Sequence, residues 1–232
     1  GLIKNASNGD SLILISFNPT TLNATMLSIP RDSYVPISCF KDNRKSKITH
    51  AGWYGASCMI NTIQDFLDVK IDYYFKINFK GVVSLVDTLG GVTVEVPRDL
   101  CTDNSSRDGK VCIQKGVQTL NGEEALVLAR NRYDLPGGDF DRSNNQQLLL
   151  KALLNQVLSL YNVLKDILKA GRNSGDNVIP IQKLALSGQG KMLYDSYAKL
   201  NLWNYILNEQ SIQAVSEAIN NNLGTGELTK TF

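Results

Sequence analysis

The apolar positions of this chain alternate between short runs typical of strands and wider spacings typical of helices. Two β-branched, apolar runs at 11–17 and 24–29 flank the turn signal Asn18-Pro19, which predicts an antiparallel pair of strands. Because Pro30 ends the second run, Arg31 and Asp32 lie at a strand end, where functional side chains are commonly presented. Further strands are predicted at 71–79, 92–96 and 179–184.

Apolar residues spaced three and four apart predict the helices. These helices cover 51–67, 82–89, 121–129, about 139–168, 194–207 and 210–221, and a turn is expected at 188–190. Gly90-Gly91 is a stop signal, and Asn121 with Glu124 suits a capping box at the start of the third helix. Helices and strands mixed throughout predict a single α/β domain over 1–232, with a mixed central β-sheet sandwiched between helices.

Composition excludes several classes of protein. A net charge of +2 and basic residues without interleaved aromatics argue against nucleic-acid binding. The sequence holds no run of about 18 apolar residues, no Walker loop and no GxSxG, and its single histidine, His50, argues against a serine hydrolase. Since the chain begins at Gly1 without Met, we expect an excised domain whose targeting or anchoring segment lay upstream.

The four cysteines, an even number without a CxxC, favour disulfides and an oxidising compartment over a zinc site. Cys101 and Cys112 bracket a polar segment and predict a stapled loop, which leaves Cys39 with Cys58 as the second pair. Three connectivities are possible in principle, and four free thiols in a cytosolic protein are the alternative.

Charge is concentrated in the stretch 129–142, where arginines and aspartates surround a Pro-Gly-Gly. Its charged residues are Arg130, Arg132, Asp134, Asp139, Asp141 and Arg142. Guanidinium groups suit bidentate contact with phosphate, and carboxylates can orient them or hold a metal. A solvated loop with surface ion pairs is the alternative.

Together with Arg31, and with Lys47 as a further cation, these arginines suit a pyrophosphate. Arg142 and Gln146 lie four apart at the start of a helix, whose N-terminus adds donors for an anion. Mg²⁺ usually takes one or two carboxylates beside phosphate oxygens. The candidates for that role are Asp10, Asp32, Asp139 and Asp141. Such a set is typical of phosphoryl transfer by positioning and charge neutralisation.

Many short motifs follow one another in an order that resembles a known family. They are DSLIL (10–14), LSIPRDSYV (27–35), KITHA (47–51), IDYY (71–74), VDTLGGV (86–92), LNGEEAL (120–126), ARNR (129–132) and DFDR with QQ (139–142 and 146–147). Over about 10–160 the chain resembles the catalytic domain of the LytR-CpsA-Psr family, and its cysteine pairs resemble the actinobacterial branch.

The resemblance implies a bacterial enzyme anchored in the membrane, on its extracytoplasmic face, with a mixed sheet between helices. Such an enzyme moves a glycopolymer from a polyprenyl pyrophosphate to a cell-wall acceptor through a phosphodiester. Mg²⁺ is the implied cofactor, and pyrophosphatase activity is an implied side reaction. The implied acceptors are peptidoglycan, an arabinogalactan attachment site or a surface protein.

Residue by residue, the resemblance implies that six side chains contact the pyrophosphate: Arg31, Lys47, Arg130, Arg132, Arg142 and Gln146. The four arginines among them, with Asp139 as a base or as an orienter of the arginines, form the implied catalytic set. Asp10 is the implied Mg²⁺ ligand, and Asp32 is expected to orient Arg31.

Two departures from the family pattern stand out. A second metal aspartate is expected before Gly1, and Asn145 stands where a basic residue is expected. Two other functions stay open. One is a non-catalytic module that binds polyprenyl phosphate without depending on a metal, and the other is a lipid pyrophosphatase that needs no acceptor.

Overall fold

Two compact units, each with its own hydrophobic core, are formed by this chain. The computed structural model describes residues 11–18, 20–21, 23–42, 44–102, 110–131, 139–168, 181–195 and 199–224. The first unit takes its residues from 1–75 and 180–232, and the second from 76–179. The single domain expected over 1–232 stays a prediction.

Strands and helices are mixed along the described residues, as the α/β prediction expects. The strands are β1 Leu12–Asn18, β2 Asn23–Ile29, β3 Tyr34–Pro36, β4 Lys45–Lys47, β5 Val92–Val96, β6 Leu100–Cys101, β7 Cys112–Ile113, β8 Gly116–Leu120, β9 Ile181–Ala185, β10 Gly188–Asp195 and β11 Leu200–Leu207. The helices are α1 Ala56–Leu67, α2 Phe79–Thr88, α3 Gly122–Arg130, α4 Asp139–Leu168 and α5 Glu209–Gly224, and a 3₁₀ helix covers Ile48–Tyr54.

A mixed three-stranded sheet with β2 in the middle forms the centre of the first unit. β1 pairs with β2 antiparallel, as predicted, and β9 pairs with β2 in parallel, with Ala24 opposite Ile181. A central strand is covered on both faces, and β2 accordingly buries both of its alternating residue sets. Ala24, Thr25, Met26 and Leu27, whose side chains alternate between the two faces, are accordingly all buried.

Polar side chains on β1 are buried because they bind α5. Asn18 Nδ2 donates to the carbonyl of Asn222 at 2.8 Å, and Asn222 Nδ2 donates to Ser16 Oγ at 3.2 Å. A buried polar group without such partners would cost stability. These contacts therefore fix the end of α5 against β1.

The second unit packs helices on the hairpin of β5 and β8. Val92, Val94 and Val96 are buried, whereas the residues between them are exposed. The predicted capping box is confirmed, since Glu124 N donates to Asn121 Oδ1 at 3.0 Å and Asn121 N donates to Glu124 Oε2 at 2.9 Å. The sequence allows α4 to start at Asp139 or at Asp141, and the structure has Asp139.

Both predicted disulfides are present, one in each unit. Cys39 bonds to Cys58 on α1, and Cys101 on β6 bonds to Cys112, its register partner on β7. The alternatives of free thiols and of other pairings are thereby excluded.

Several predictions of local structure are wrong. Residues 71–78 form no strand, and their alternating aromatics are exposed, with Tyr73 at 82% and Phe75 at 89%. The expected turn at 188–190 begins β10, and the expected helix at 194–207 is the end of β10, a turn with Lys199 at φ 53°, and β11. A short apolar run fits either periodicity, and hydrogen-bonding partners far along the chain decide between them.

Candidate functional site: two cationic clusters

The turn after β2 presents two charged residues side by side. Ser33 N donates to the Pro30 carbonyl at 3.0 Å, and Ser33 Oγ donates to the same oxygen at 2.6 Å. These bonds close a β-turn with Arg31 and Asp32 at its central positions. The strand end predicted to carry functional side chains is thus a defined turn.

Neighbouring elements bind the backbone of this turn. The Arg31 carbonyl accepts from Thr49 N at 3.2 Å, and the Asp32 carbonyl accepts from Tyr205 N of β11 at 2.9 Å. The Ser33 carbonyl accepts from Ile48 N at 2.8 Å. Because three consecutive carbonyls are held, the directions in which Arg31 and Asp32 leave the backbone are fixed.

Asp32 is shared by two cations of the first cluster. Lys47 Nζ donates to Asp32 Oδ1 at 2.7 Å, whereas Arg31 Nε lies 3.7 Å from Asp32 Oδ2. The sequence analysis expected Asp32 to orient Arg31, and the shorter contact is to Lys47. Arg31 and Lys47 therefore both approach one carboxylate, which places two basic side chains together at this turn.

His50 lies beside this cluster. Its Nδ1 is 2.7 Å from Ser46 Oγ, and its ring stacks on Trp53 at a centroid distance of 4.2 Å. Burial lowers the pKa of His50, and Lys47 adds to that effect against the opposing carboxylates of Asp195 and Asp32. The sequence showed no serine–histidine pair, because Ser46 and His50 carry no recognisable motif. The imidazole of His50 is thus held by a partly buried hydrogen bond and a stacked ring.

Arg130 begins the second cluster at the last residue of α3. Its guanidinium carbon lies 4.6 Å from the ring centroid of Phe79, which is a cation–π contact. Arg130 is exposed, and none of the carboxylates in the described part of the chain forms an ion pair with it. The sequence analysis missed Phe79, because no local pattern links it to a residue so far along the chain.

The first turns of α4 contribute the other predicted residues. Gln146 Nε2 donates to the Ala129 carbonyl at 3.0 Å, which ties α4 to the last turn of α3. Arg142 is 8% exposed, and Asn145, where a basic residue was expected, is 4% exposed. Gln146 thus has a structural contact that the sequence did not indicate, and it joins the helices that carry Arg130 and Arg142.

Each unit therefore brings some of the predicted residues together. Arg31 and Lys47 share one cluster, and Arg130, Arg142 and Gln146 share the other. Asp10 and Arg132 lie outside the described residues, and so does the Asp139 side chain. Convergence of all these groups on one anion stays a prediction.

Neither a metal centre nor a membrane segment is seen in the described ranges. No group of three or more metal-ligating side chains occurs there. Asp32 is a poor candidate ligand for Mg²⁺, because Lys47 and Arg31 already contact its two oxygens. Of the helices described, none is long and apolar enough to cross a membrane.

Comparison with known proteins places these clusters in context. Residues 3–223 match the LytR_cpsA_psr family. The chain belongs to the LytR-CpsA-Psr family. The biofilm regulatory protein A of Streptococcus mutans is 39% identical over 166 residues, which are 68% of this chain and 41% of that protein. TagU of Bacillus licheniformis, a polyisoprenyl-teichoic acid–peptidoglycan teichoic acid transferase, is 37% identical over 168 residues, which are 71% of this chain and 52% of TagU.

Solved structures of the LytR-CpsA-Psr family have the same fold. The structure of the family protein YwtF (TagT) with bound octaprenyl pyrophosphate lipid matches with a TM-score of 0.70 and 29% identity, over 93% of this chain and 85% of that one. The predicted α/β fold is thereby confirmed. This LytR-CpsA-Psr chain spans about half the length of the curated relatives it matches. None of the relatives named here supports the actinobacterial placement, which stays a prediction.

Proposed function

We propose that this chain transfers a glycopolymer from a polyprenyl pyrophosphate to a hydroxyl group of a cell-wall acceptor. The relatives named as teichoic acid transferases and the family structure with a bound prenyl pyrophosphate support the reaction class. Peptidoglycan is the first acceptor to test, and an arabinogalactan site or a surface protein are others. The reaction would take place on the extracytoplasmic face of the membrane, where an anchor outside this sequence would hold the protein.

The observation that carries this proposal is the Arg130 guanidinium, which is exposed and forms no ion pair with a carboxylate of the described residues. In the first cluster one carboxylate is shared by Arg31 and Lys47, and in the second Arg130 contacts an aromatic ring. Preorganised guanidinium and ammonium groups stabilise the charge that develops on phosphate oxygens during transfer. Arg132, Arg142 and Gln146 are proposed to complete the pyrophosphate contacts.

The reaction exchanges one phosphorus–oxygen bond for another. The acceptor oxygen bonds to the phosphorus that carries the glycopolymer, and the bond from that phosphorus to the bridging oxygen breaks. The products are a phosphodiester and a polyprenyl phosphate, which leaves with the electron pair of the broken bond. The proton of the acceptor hydroxyl passes to a base, for which Asp139 is the candidate, and then to solvent. Water in place of the acceptor would give the pyrophosphatase side reaction.

Mg²⁺ dependence is part of the proposal and rests on Asp10. A bound Mg²⁺ would neutralise charge on the pyrophosphate. Asp32, the carboxylate of the first cluster, does not fit this role, since cations engage both of its oxygens. The positioning ascribed above to Arg31, Lys47 and Arg130 does not depend on the metal.

An Arg130→Ala variant tests the site, with Arg44→Ala as its matched control. Both arginines are exposed, and Arg44 also lies over an aromatic ring, 5.0 Å from the centroid of Phe40. Loss of a charge-assisted contact to phosphate should lower kcat/KM by about tenfold or more. The assay measures both labelled glycopolymer on peptidoglycan and the polyprenyl phosphate released from the donor. Wild-type rates for Arg130→Ala would contradict the assignment.

The same assay separates the alternatives. Release of polyprenyl phosphate that does not change when the acceptor is omitted would indicate a lipid pyrophosphatase. Tight binding of the polyprenyl pyrophosphate without turnover, with or without Mg²⁺, would indicate a non-catalytic binding module. Transfer to the acceptor that requires Mg²⁺ supports the full proposal.

A further inference from the structure

The second unit holds α2 and α3 unusually close at one end. Gly122, the first residue of α3, is buried, and a Cβ there would lie 2.6 Å from the Val83 carbonyl oxygen. Gly122 N also donates to Asp87 Oδ1 at 2.7 Å. Backbone contact without a side chain in between, together with this bond, fixes the register of the two helices.

The register of α2 and α3 determines which residues meet at the other end of the two helices. Phe79 precedes Asp87 by eight residues, 87 minus 79, and Arg130 follows Gly122 by eight, 130 minus 122. At a rise of about 1.5 Å per residue, each of these eight-residue spans is about 12 Å long. Phe79 and Arg130 therefore lie at the same end of the helix pair. The ring of Phe79 accordingly lies under the Arg130 guanidinium, with 4.6 Å between the guanidinium carbon and the ring centroid.

Phe79 is itself held in place by a helix cap. Asn78 Oδ1 accepts from Gly81 N at 2.8 Å, and the Asn78 carbonyl accepts from Val82 N at 3.0 Å. Phe79 is nonetheless 50% exposed, so its ring adds little to the core. A fixed but exposed ring that contacts a cation calls for a reason other than packing.

We propose that Phe79 is a positioning residue that orients the Arg130 guanidinium toward a diphosphate. This inference rests on the proposed function, in which Arg130 contacts the phosphate groups. The guanidinium carries five N–H donors in one plane, and a ring in cation–π contact, unlike a carboxylate, accepts no conventional hydrogen bond from them. A carboxylate partner would occupy two of them and compete with phosphate.

In the first cluster, a carboxylate instead of an aromatic ring orients the cation. There Asp32 accepts a hydrogen bond from Lys47 at 2.7 Å, which takes up one of the three donors of that ammonium. An aromatic ring attracts the cation through its quadrupole and leaves the formal charge of Arg130 uncompensated. Phe79 therefore provides orientation without neutralisation.

Phe79→Leu is the decisive variant, because it keeps an apolar side chain and removes the ring. Calorimetric titration with inorganic pyrophosphate and with farnesyl diphosphate, at fixed Mg²⁺, should show binding weakened about two- to fivefold for both probes. Phe79→Tyr retains a ring and should bind as the wild type does. Phe17→Leu, which removes a ring that is 42% exposed on β1, is the matched control and should bind normally.

A double variant tests whether Phe79 acts through Arg130. In an Arg130→Ala background, Phe79→Leu should cause no further loss of affinity, since the guanidinium that it positions is absent. Far-UV circular dichroism confirms that each variant is folded, and Phe79→Met replaces Phe79→Leu if the latter is not.

Each other outcome overturns the inference. Weaker binding of farnesyl diphosphate alone would mean that Phe79 contacts the prenyl tail. If Phe79→Leu weakens binding in the Arg130→Ala background as much as it does in the wild type, Phe79 acts independently of Arg130. If Arg130→Ala weakens binding but Phe79→Leu does not, the inference fails and the proposed function stands. If Arg130→Ala binds pyrophosphate as the wild type does, the proposed anion site fails as well.

Discussion

Substitution of Gly122 by alanine should destabilise the protein, although alanine is the better helix former. The added Cβ would lie 2.6 Å from the Val83 carbonyl oxygen and 2.9 Å from Asp87 Oδ2, so α3 must move away from α2. Overpacking of this kind costs about 1–3 kcal/mol, and distortion of the bond to Asp87 costs about 1 kcal/mol more. Higher helix propensity returns at most about 1 kcal/mol. The free energy of unfolding should therefore fall by about 1–3 kcal/mol.

Gly81→Ala is the matched control, since Gly81 also lies in the first turn of a helix. Its Cβ would meet the side chain of Ile77 at 2.8 Å, and that side chain is 56% exposed and able to turn away. Urea unfolding followed by helical circular dichroism, without reductant, should give a lower midpoint for Gly122→Ala and an equal or higher midpoint for Gly81→Ala. A Gly122→Ala midpoint at or above that of the wild type would refute the close-contact argument.

Three further changes have expected outcomes. Because burial lowers the pKa of His50, protonation of this residue favours the unfolded chain. The contribution of neutral His50 to the free energy of unfolding should be fully present above pH 6.5 and decrease as the pH falls below that value. His50→Asn should lose less stability between pH 7 and 5 than the wild type, as measured by urea midpoints; equal losses would contradict this. Lys47→Met should lower the free energy of unfolding by about 1–3 kcal/mol, whereas Lys70→Met, from an exposed ion pair of equal length, should leave it unchanged. Replacing Cys39 and Cys58 by serine should lower the unfolding free energy by about 2–4 kcal/mol, and an unchanged thermal midpoint would mean that this disulfide does not stabilise the fold.

The local sequence predicted an element correctly where interactions within that element fix where it begins and ends. β1, β2, β5 and α3 occur close to where apolar periodicity and capping residues place them. The capping box of Asn121 and Glu124 is satisfied by atoms three residues apart, so no distant contact is needed. The hairpin of β10 and β11 was missed for the opposite reason, because each strand is defined by hydrogen bonds to the other.

The chemistry of the site was predictable to a similar extent. The residue types and their order could be read from Arg31, Lys47, Arg130 and the motifs around them. The family that these motifs resemble is confirmed by the family match. The side chains and carbonyl groups that these residues contact could not be read from the sequence. Asp32 contacts Lys47 more closely than Arg31, and Gln146 binds the Ala129 carbonyl.

By itself, the sequence determined elements with strong local signals, such as the capped helix α3, and it favoured two cysteine pairs without deciding their connectivity. Tertiary structure alone decided that Phe79 lies under Arg130 and that the turn of Arg31 and Asp32 is held by β11. The physical reason is the range of the interactions. Helix caps and periodic burial act within a few residues, whereas cation–π contacts and ion pairs depend on where the packing of distant elements places each side chain.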